Sequence, residues 1–192
     1  SVLDGMEGGL ARLSAPLRQL MHRLRRNTRA GSRRNIAAHY DLGNDFYRLW
    51  LDPTLMYSCA FFERPDMSLA EASIAKLERI CRKLDLQSTD HVLEIGTGWG
   101  GFALYAARTR GCRVATATIS RAQYELARRR VAEAGLTERV EVLFADYRDL
   151  VGQYDKLVSI EMVEAVGADH LATYFRQCGR LLKPDGVMLL QA

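Results

Sequence analysis

No apolar run in this 192-residue chain approaches the roughly 18 to 20 residues that a bilayer-spanning helix requires. No secretory leader, basic then apolar, stands at its start, which is Ser1 rather than Met. CxxC pairs are also missing. Cys59, Cys81, Cys112 and Cys178 are scattered without metal-ligand spacing, which argues against a zinc site or a disulfide scaffold and for a reduced, cytoplasmic protein. Internal repeats and low-complexity tracts are absent too. What remains is a globular composition, 48% hydrophobic and 26% charged, long enough for one domain with a sizeable core.

Acidic residues are missing from one stretch. Between Gly8 and Tyr40 there is no Asp or Glu, but there are eight arginines: Arg12, Arg18, Arg23, Arg25, Arg26, Arg29, Arg33 and Arg34. This stretch carries +8, so the other residues sum to −4 within the net +4. Residues 1–9 are Gly-rich and aperiodic, as in a linker. Leu10, Leu13, Leu17, Leu20 and Leu24 then recur at helical spacing, so a basic amphipathic helix is expected within 10–34. Its apolar stripe has two readings: packing on the domain, or lying on an anionic membrane surface. No nucleic-acid motif accompanies the charge, so nucleic acid is not expected as a partner.

Residues 35–90 form an expected cap, irregular over 35–67 and then helical. Ser68 and Glu71 fit a capping box, and Leu69, Ala72, Leu77, Ile80 and Leu84 supply the buried face of the helix that follows. From 91 to 192 strand and helix alternate. Strands are predicted over 91–95, 113–118, 139–144 and 156–160, with a fifth opening over 186–190. Helices are predicted over 100–109, 120–134 and 171–182, the second ended by Gly135 in the left-handed conformation. This alternation implies an α/β fold, a parallel sheet with helices on both faces. The strand pattern breaks off at the chain's end, so we expect a piece of a longer protein, open at both ends.

The first strand runs into Glu94-Ile-Gly96-Thr-Gly98-Trp-Gly100-Gly101 and then a helix. Gly96, Gly98 and Gly101 match the GxGxxG of dinucleotide sites, a weak signal by itself. A dinucleotide site also wants an acid at the end of strand two, and that strand ends Thr116-Ala117-Thr118. The acid here precedes the glycines instead, at Glu94, which favours a methyl donor. Asp146 and Tyr147 follow strand three, where a carboxylate can accept from an adenine amine and a ring can lie on the base. Ser120 and Gln123 open the next helix as a cap, which leaves a ligand contact open.

Four segments together resemble the cyclopropane-fatty-acyl-phospholipid synthase and mycolic acid cyclopropane synthase family. They are His39-Tyr40-Asp41-Leu-Gly-Asn44-Asp45-Phe46-Tyr47, Met56-Tyr57-Ser58-Cys59-Ala-Phe-Phe62, Glu94–Gly101 and Ser159-Ile-Glu161-Met-Val-Glu164-Ala-Val-Gly167. The resemblance implies a Rossmann-like class I S-adenosylmethionine-dependent methyltransferase fold, truncated here before its last strands. It implies transfer of a methyl or methylene group to the cis double bond of unsaturated phospholipid acyl chains by a peripherally membrane-associated enzyme. It leaves a homodimer open. Tyr57 and Ser58 would contact the amino-acid end of S-adenosylmethionine, and Gly96 and Gly98 would lie against it. Thr118 and Gln123 would reach the ribose side, while Tyr147 and Ile160 would flank the adenosine. The resemblance also implies a bound bicarbonate, held in part by Cys59 and Glu164, to take a proton from the new methyl. Glu161 is the rival carboxylate. Tyr40, Phe46 and Phe62 are candidates to stabilise a cation on the acyl chain.

The chain departs from that pattern. Gln191 stands where the family often has a bicarbonate-holding His, and Glu164-Ala165 stands for a frequent Glu-His pair. Two other functions stay open from sequence: a small-molecule N-methyltransferase of the coclaurine type, and a non-catalytic lipid- or cofactor-binding piece.

Overall fold

The computed structural model describes residues 44–192. The expected linker 1–9, the basic helix 10–34 and Tyr40 lie outside the described residues.

The element order is α1 (Asn44–Arg48), α2 (Leu69–Lys83), β1 (His91–Ile95), α3 (Gly101–Arg110), β2 (Arg113–Thr118), α4 (Arg121–Glu133), β3 (Val140–Phe144), β4 (Tyr154–Ile160), α5 (Leu171–Leu181) and β5 (Leu182–Gln191). The five strands form one parallel sheet in the order β3-β2-β1-β4-β5. The inner strands β1, β2 and β4 are largely buried because each face is covered, while the edge strands β3 and β5 are partly exposed. Val92, Val114 and Val158 join the cluster under α2 and α3, whereas Leu93, Ala115 and Leu157 join the one under α5. The chain reverses its winding between β1 and β4, and a crevice opens at the carboxyl ends of those strands.

The capping box closes as the sequence predicts. Glu71 N–H donates to Ser68 Oγ at 3.3 Å, and Ser68 N–H donates to Glu71 Oε2 at 2.8 Å. Gly135 follows α4 at φ +66°. Three expectations need correction. Leu69 is exposed because it is the first helical residue and projects beyond the packed stripe, while Lys76, on that stripe, is 4% exposed. The 35–67 stretch contains α1, which buries Tyr47 against Trp99 with ring centroids 4.7 Å apart. The fifth strand begins at Leu182 rather than 186. Its register slips between the Tyr154–Leu182 and Lys156–Val187 pairs, because Pro184 has no N–H to give the ladder.

Candidate functional site

The crevice holds a cavity of about 970 Å³ at the β1–β4 switch point. Its walls come from the segment before α2, the glycine turn after β1, the ends of β2 and β3, and the turn after β4.

Two glycines of the turn do different work. At Gly98, φ is +51° and an added Cβ would meet nothing within 4 Å, because the backbone there faces the cavity. At Gly101 an added Cβ would stand 2.9 Å from Thr54 O and 2.5 Å from Met56 Sδ. Only a glycine lets the 52–59 segment lie on the start of α3. That segment is tied down from α4. Arg130 Nη1 donates to Trp99 O at 2.6 Å and Thr54 O at 3.1 Å, and its Nη2 donates to Pro53 O at 3.1 Å. Tyr57 packs beside Tyr47, Trp50 and Trp99 at centroid distances of 5.2, 5.5 and 6.3 Å.

Glu94 is 3% exposed, and its Oε2 accepts from Thr116 Oγ1 at 2.6 Å. Burial pushes its pKa up to about 8, against the smaller opposing effect of the Thr116 bond. Beyond it, Thr118 Oγ1 donates to Gln123 Oε1 at 2.8 Å, which fixes the orientation of the Gln123 amide. Gln123 N–H in turn donates to Ser120 Oγ at 3.4 Å. Asp146, 2% exposed, binds Arg148 through Nε to Oδ1 at 2.8 Å and Nη2 to Oδ2 at 2.6 Å. Asp146 Oδ1 also accepts from Arg148 N–H at 3.0 Å, which pins the carboxylate at the end of β3.

The sharpest cluster lies opposite the glycine turn. Cys59 N–H donates to Glu161 Oε1 at 2.8 Å. The Gln191 amide donates to the same Oε1 at 2.8 Å and to Cys59 Sγ at 3.1 Å, while Gln191 O accepts from Glu161 N–H at 2.8 Å. Glu161 sits at φ +44°, a left-handed conformation that side chains rarely adopt. A side-chain hydrogen bond between the Cys59 thiol and the Glu161 carboxylate, with burial second, raises the thiol's pKa above the ordinary value, so Cys59 is held as a thiol rather than a nucleophilic thiolate. Beneath this group the buried Lys76 donates its ammonium to Ser58 Oγ. Burial lowers the Lys76 pKa, while the charges of Glu161, Cys59 and Asp52 oppose that shift.

Tyr57, Ser58, Glu94, Gly96, Gly98, Thr118, Gln123, Asp146, Tyr147 and Ile160, the residues expected to hold the donor, all line this one cavity, as do Cys59 and Glu164. Phe46 and Phe62 lie outside its wall. Phe46 spends its ring on edge contacts to Tyr47 and Trp50, and Phe62 is 52% exposed. The aromatic wall is Trp50, Tyr57, Trp99 and Tyr147 instead. Of the two carboxylates, Glu161 rather than Glu164 is joined to Cys59. The bicarbonate that the resemblance implies fits poorly here. Cys59 N–H and the Gln191 amide already converge on Glu161 Oε1, and a second anion would press against that carboxylate. Lys76, Trp99 and Arg130 escaped the sequence reading, although Lys76 stands four residues from both Ala72 and Ile80 on the predicted apolar stripe.

The mycolic acid cyclopropane synthetase family matches residues 27–192. The chain belongs to this family. Its relatives include a tuberculostearic acid methyltransferase of Mycobacterium tuberculosis, 46% identical over 86% of the chain and 40% of that protein. The cyclopropane-fatty-acyl-phospholipid synthase of Escherichia coli is 45% identical over 79% of the chain and 38% of that protein. The crystal structure of a mycolic acid cyclopropane synthase complexed with SAH and CTAB superposes with TM-score 0.79 at 40% identity, covering 82% of the chain and 55% of that structure. The chain thus spans about two fifths of the length of these curated relatives. A coclaurine N-methyltransferase structure is more distant, at TM-score 0.72 and 28% identity over 79% of the chain and 44% of that structure. The cyclopropane synthetase family and its neighbours share the Rossmann-like class I methyltransferase fold described above.

Proposed function

We propose that the protein of which this chain is part is an S-adenosylmethionine-dependent methyltransferase acting on the cis double bond of unsaturated acyl chains, with phospholipids as the substrate class. The single observation that carries this is the cavity itself. It runs without a break from the bare backbone at Gly98 to the Cys59–Glu161–Gln191 cluster, so donor and acceptor have room in one chamber. Its volume lies at the upper end of the roughly 300–1,000 Å³ typical of small-molecule sites.

The residues fit the donor. Gly96 and Gly98 allow close approach, Thr118 and Gln123 present polar groups at the end of β2, and Asp146 and Tyr147 stand where an adenine would lie. The Ser58–Lys76 pair offers a hydroxyl and a buried cation to the carboxylate of the donor's amino-acid end. S-adenosylmethionine supplies an electrophilic methyl, which a nucleophile as poor as an alkene requires. The protein's part is to exclude water, align the alkene and face the developing cation with aromatic rings. Trp50 and Tyr57 line the cavity yet are 46% and 42% exposed, and together with exposed Leu69 they give it an apolar mouth suited to an acyl chain. This mouth, together with the 45–46% identity to lipid-modifying relatives against 28% to the coclaurine enzyme, favours lipid over a small amine.

Gly98→Ala tests the donor site. The new methyl clashes with no protein atom but enters the cavity, so S-adenosylhomocysteine affinity measured by calorimetry should fall at least tenfold, about 1.4 kcal/mol. Unchanged affinity in a folded variant rejects the assignment. With wild-type protein, vesicles of an oleoyl phospholipid should gain the mass of one CH₂ per modified chain.

A further inference from the structure

The methyl-transfer reading leaves one cluster unused. Cys59, Glu161 and Gln191 come from three separate segments and converge on one carboxylate oxygen, Glu161 Oε1, with both bonds at 2.8 Å. Gln191 also grips Glu161 through the backbone, at 2.8 Å. Glu161 is held at φ +44°, and strain of this kind concentrates at functional sites.

We infer that Glu161 is the proton acceptor of the ring-forming step, its carboxylate standing where a bound small anion would otherwise serve. The inference rests on the proposed methyl-transfer reading. Both donors land on Oε1, which leaves Oε2 for the proton. Glu161 lines the cavity immediately after β4, and the buried ammonium of Lys76 lies close enough to interact with its charge. Two hydrogen bonds hold the carboxylate against the wall, which opposes its collapse onto the substrate cation. Glu164 also faces the cavity, from the short 3₁₀ turn Val163–Ala165, and is the alternative the experiment must separate.

The step balances with no further reactant. Once the methyl is on the acyl chain, the neighbouring carbon is cationic. An O–H bond forms at Glu161 Oε2 as one C–H bond of that methyl breaks. The C–H electron pair becomes the carbon–carbon bond that closes the three-membered ring. The resulting carboxylic acid later returns its proton to water.

The full chain is assayed with S-adenosylmethionine and vesicles of dioleoyl phosphatidylglycerol in CO₂-free buffer, with and without added bicarbonate. Wild-type turnover should agree within twofold in the two buffers. Glu161→Gln should lose at least 100-fold in turnover, the lower bound for a general base, with S-adenosylhomocysteine affinity unchanged by calorimetry. Glu161→Gly suits the left-handed backbone and vacates the carboxylate's place. It should be equally slow alone and recover at least tenfold on added bicarbonate or formate. The inference is overturned if wild-type turnover collapses without bicarbonate and returns with it. It is also overturned if Glu161→Gln turns over normally while Glu164→Gln does not. Failure of the wild type to bind S-adenosylhomocysteine or to transfer a methyl overturns the methyl-transfer reading as well.

Discussion

Glu94 carries a buried carboxyl in the middle of a parallel sheet, hydrogen-bonded only to a threonine on the next strand among the described residues. Its pKa of about 8 stands above that of a glutamate in the unfolded chain, so folding takes up a proton between the two values. Its stabilising contribution is therefore full below the ordinary carboxylate range and is lost as pH rises towards 8. Thermal unfolding from pH 5 to 8.5 should show the wild type losing a few kcal/mol more than Glu94→Gln. Parallel stability profiles would remove Glu94 as the cause. Glu94 was legible in the sequence because an acid beside a glycine turn is a distinctive pattern. Lys76 was not, since a lysine on a helix normally reaches solvent and only the packing of the 52–59 segment over α2 buries it. That Glu161 rather than Glu164 meets Cys59 follows from a positive φ at the end of β4, and sequence patterns carry no sign for that angle.

Among the elements, α4 has a structural task apart from covering the sheet. Its Arg130 donates side-chain hydrogen bonds to the carbonyls of Pro53, Thr54 and Trp99. Arg130→Met keeps the aliphatic stem and leaves those carbonyls without the charge-assisted bonds. With roughly 1.5–3 kcal/mol for a hydrogen bond to a charged group and partial replacement by water, urea unfolding should show a loss of about 2–4 kcal/mol. S-adenosylhomocysteine affinity should fall with it, because Tyr57 and Ser58 ride on the loosened segment. A variant as stable as wild type would mean that the clamp is redundant. The strands β1 and β2 coincide with their predicted bounds because both are short, apolar on both faces and framed by polar turns. β5 does not, because the Lys183-Pro184-Asp185-Gly186 detour reads as a turn yet stays within the strand's path. The part of the cavity legible in the sequence was the wall of Gly96, Gly98, Thr118, Asp146 and Ile160, residues that sit at or just beyond strand ends. The Cys59–Glu161–Gln191 corner depends on three distant segments meeting.

For the whole molecule, charge asymmetry is the dominant feature beyond the fold. The eight arginines between Gly8 and Tyr40 stand against a net −4 over the remaining residues. If that segment draws the enzyme to anionic lipid, each cation near the surface contributes about 1 kcal/mol, screened over roughly 10 Å at 0.1 M salt. Sedimentation with phosphatidylglycerol vesicles should weaken as salt rises, and weaken further when Arg23, Arg25 and Arg26 are changed to Gln. Equal sedimentation with neutral vesicles would reject an electrostatic role. The parallel sheet was visible in the sequence from the alternation of strands and helices, whereas the strand order, and with it the switch point, is set by packing between segments that no local pattern records.

Gln191 follows Cys59 by 132 residues. At roughly 5–20 residues per second of synthesis, the ribosome releases the thiol many seconds before the amide that will meet it exists. The glycine turn has its partners earlier: Thr54, Trp99 and Arg130 all precede β3. The corner around Glu161 has to wait for the fifth strand to dock. A nascent polypeptide therefore gains the cavity wall around the glycine turn first and the Cys59–Glu161–Gln191 corner last, and chains cut short before Gln191 lack the amide that bridges Glu161 and Cys59 however well their earlier strands have folded.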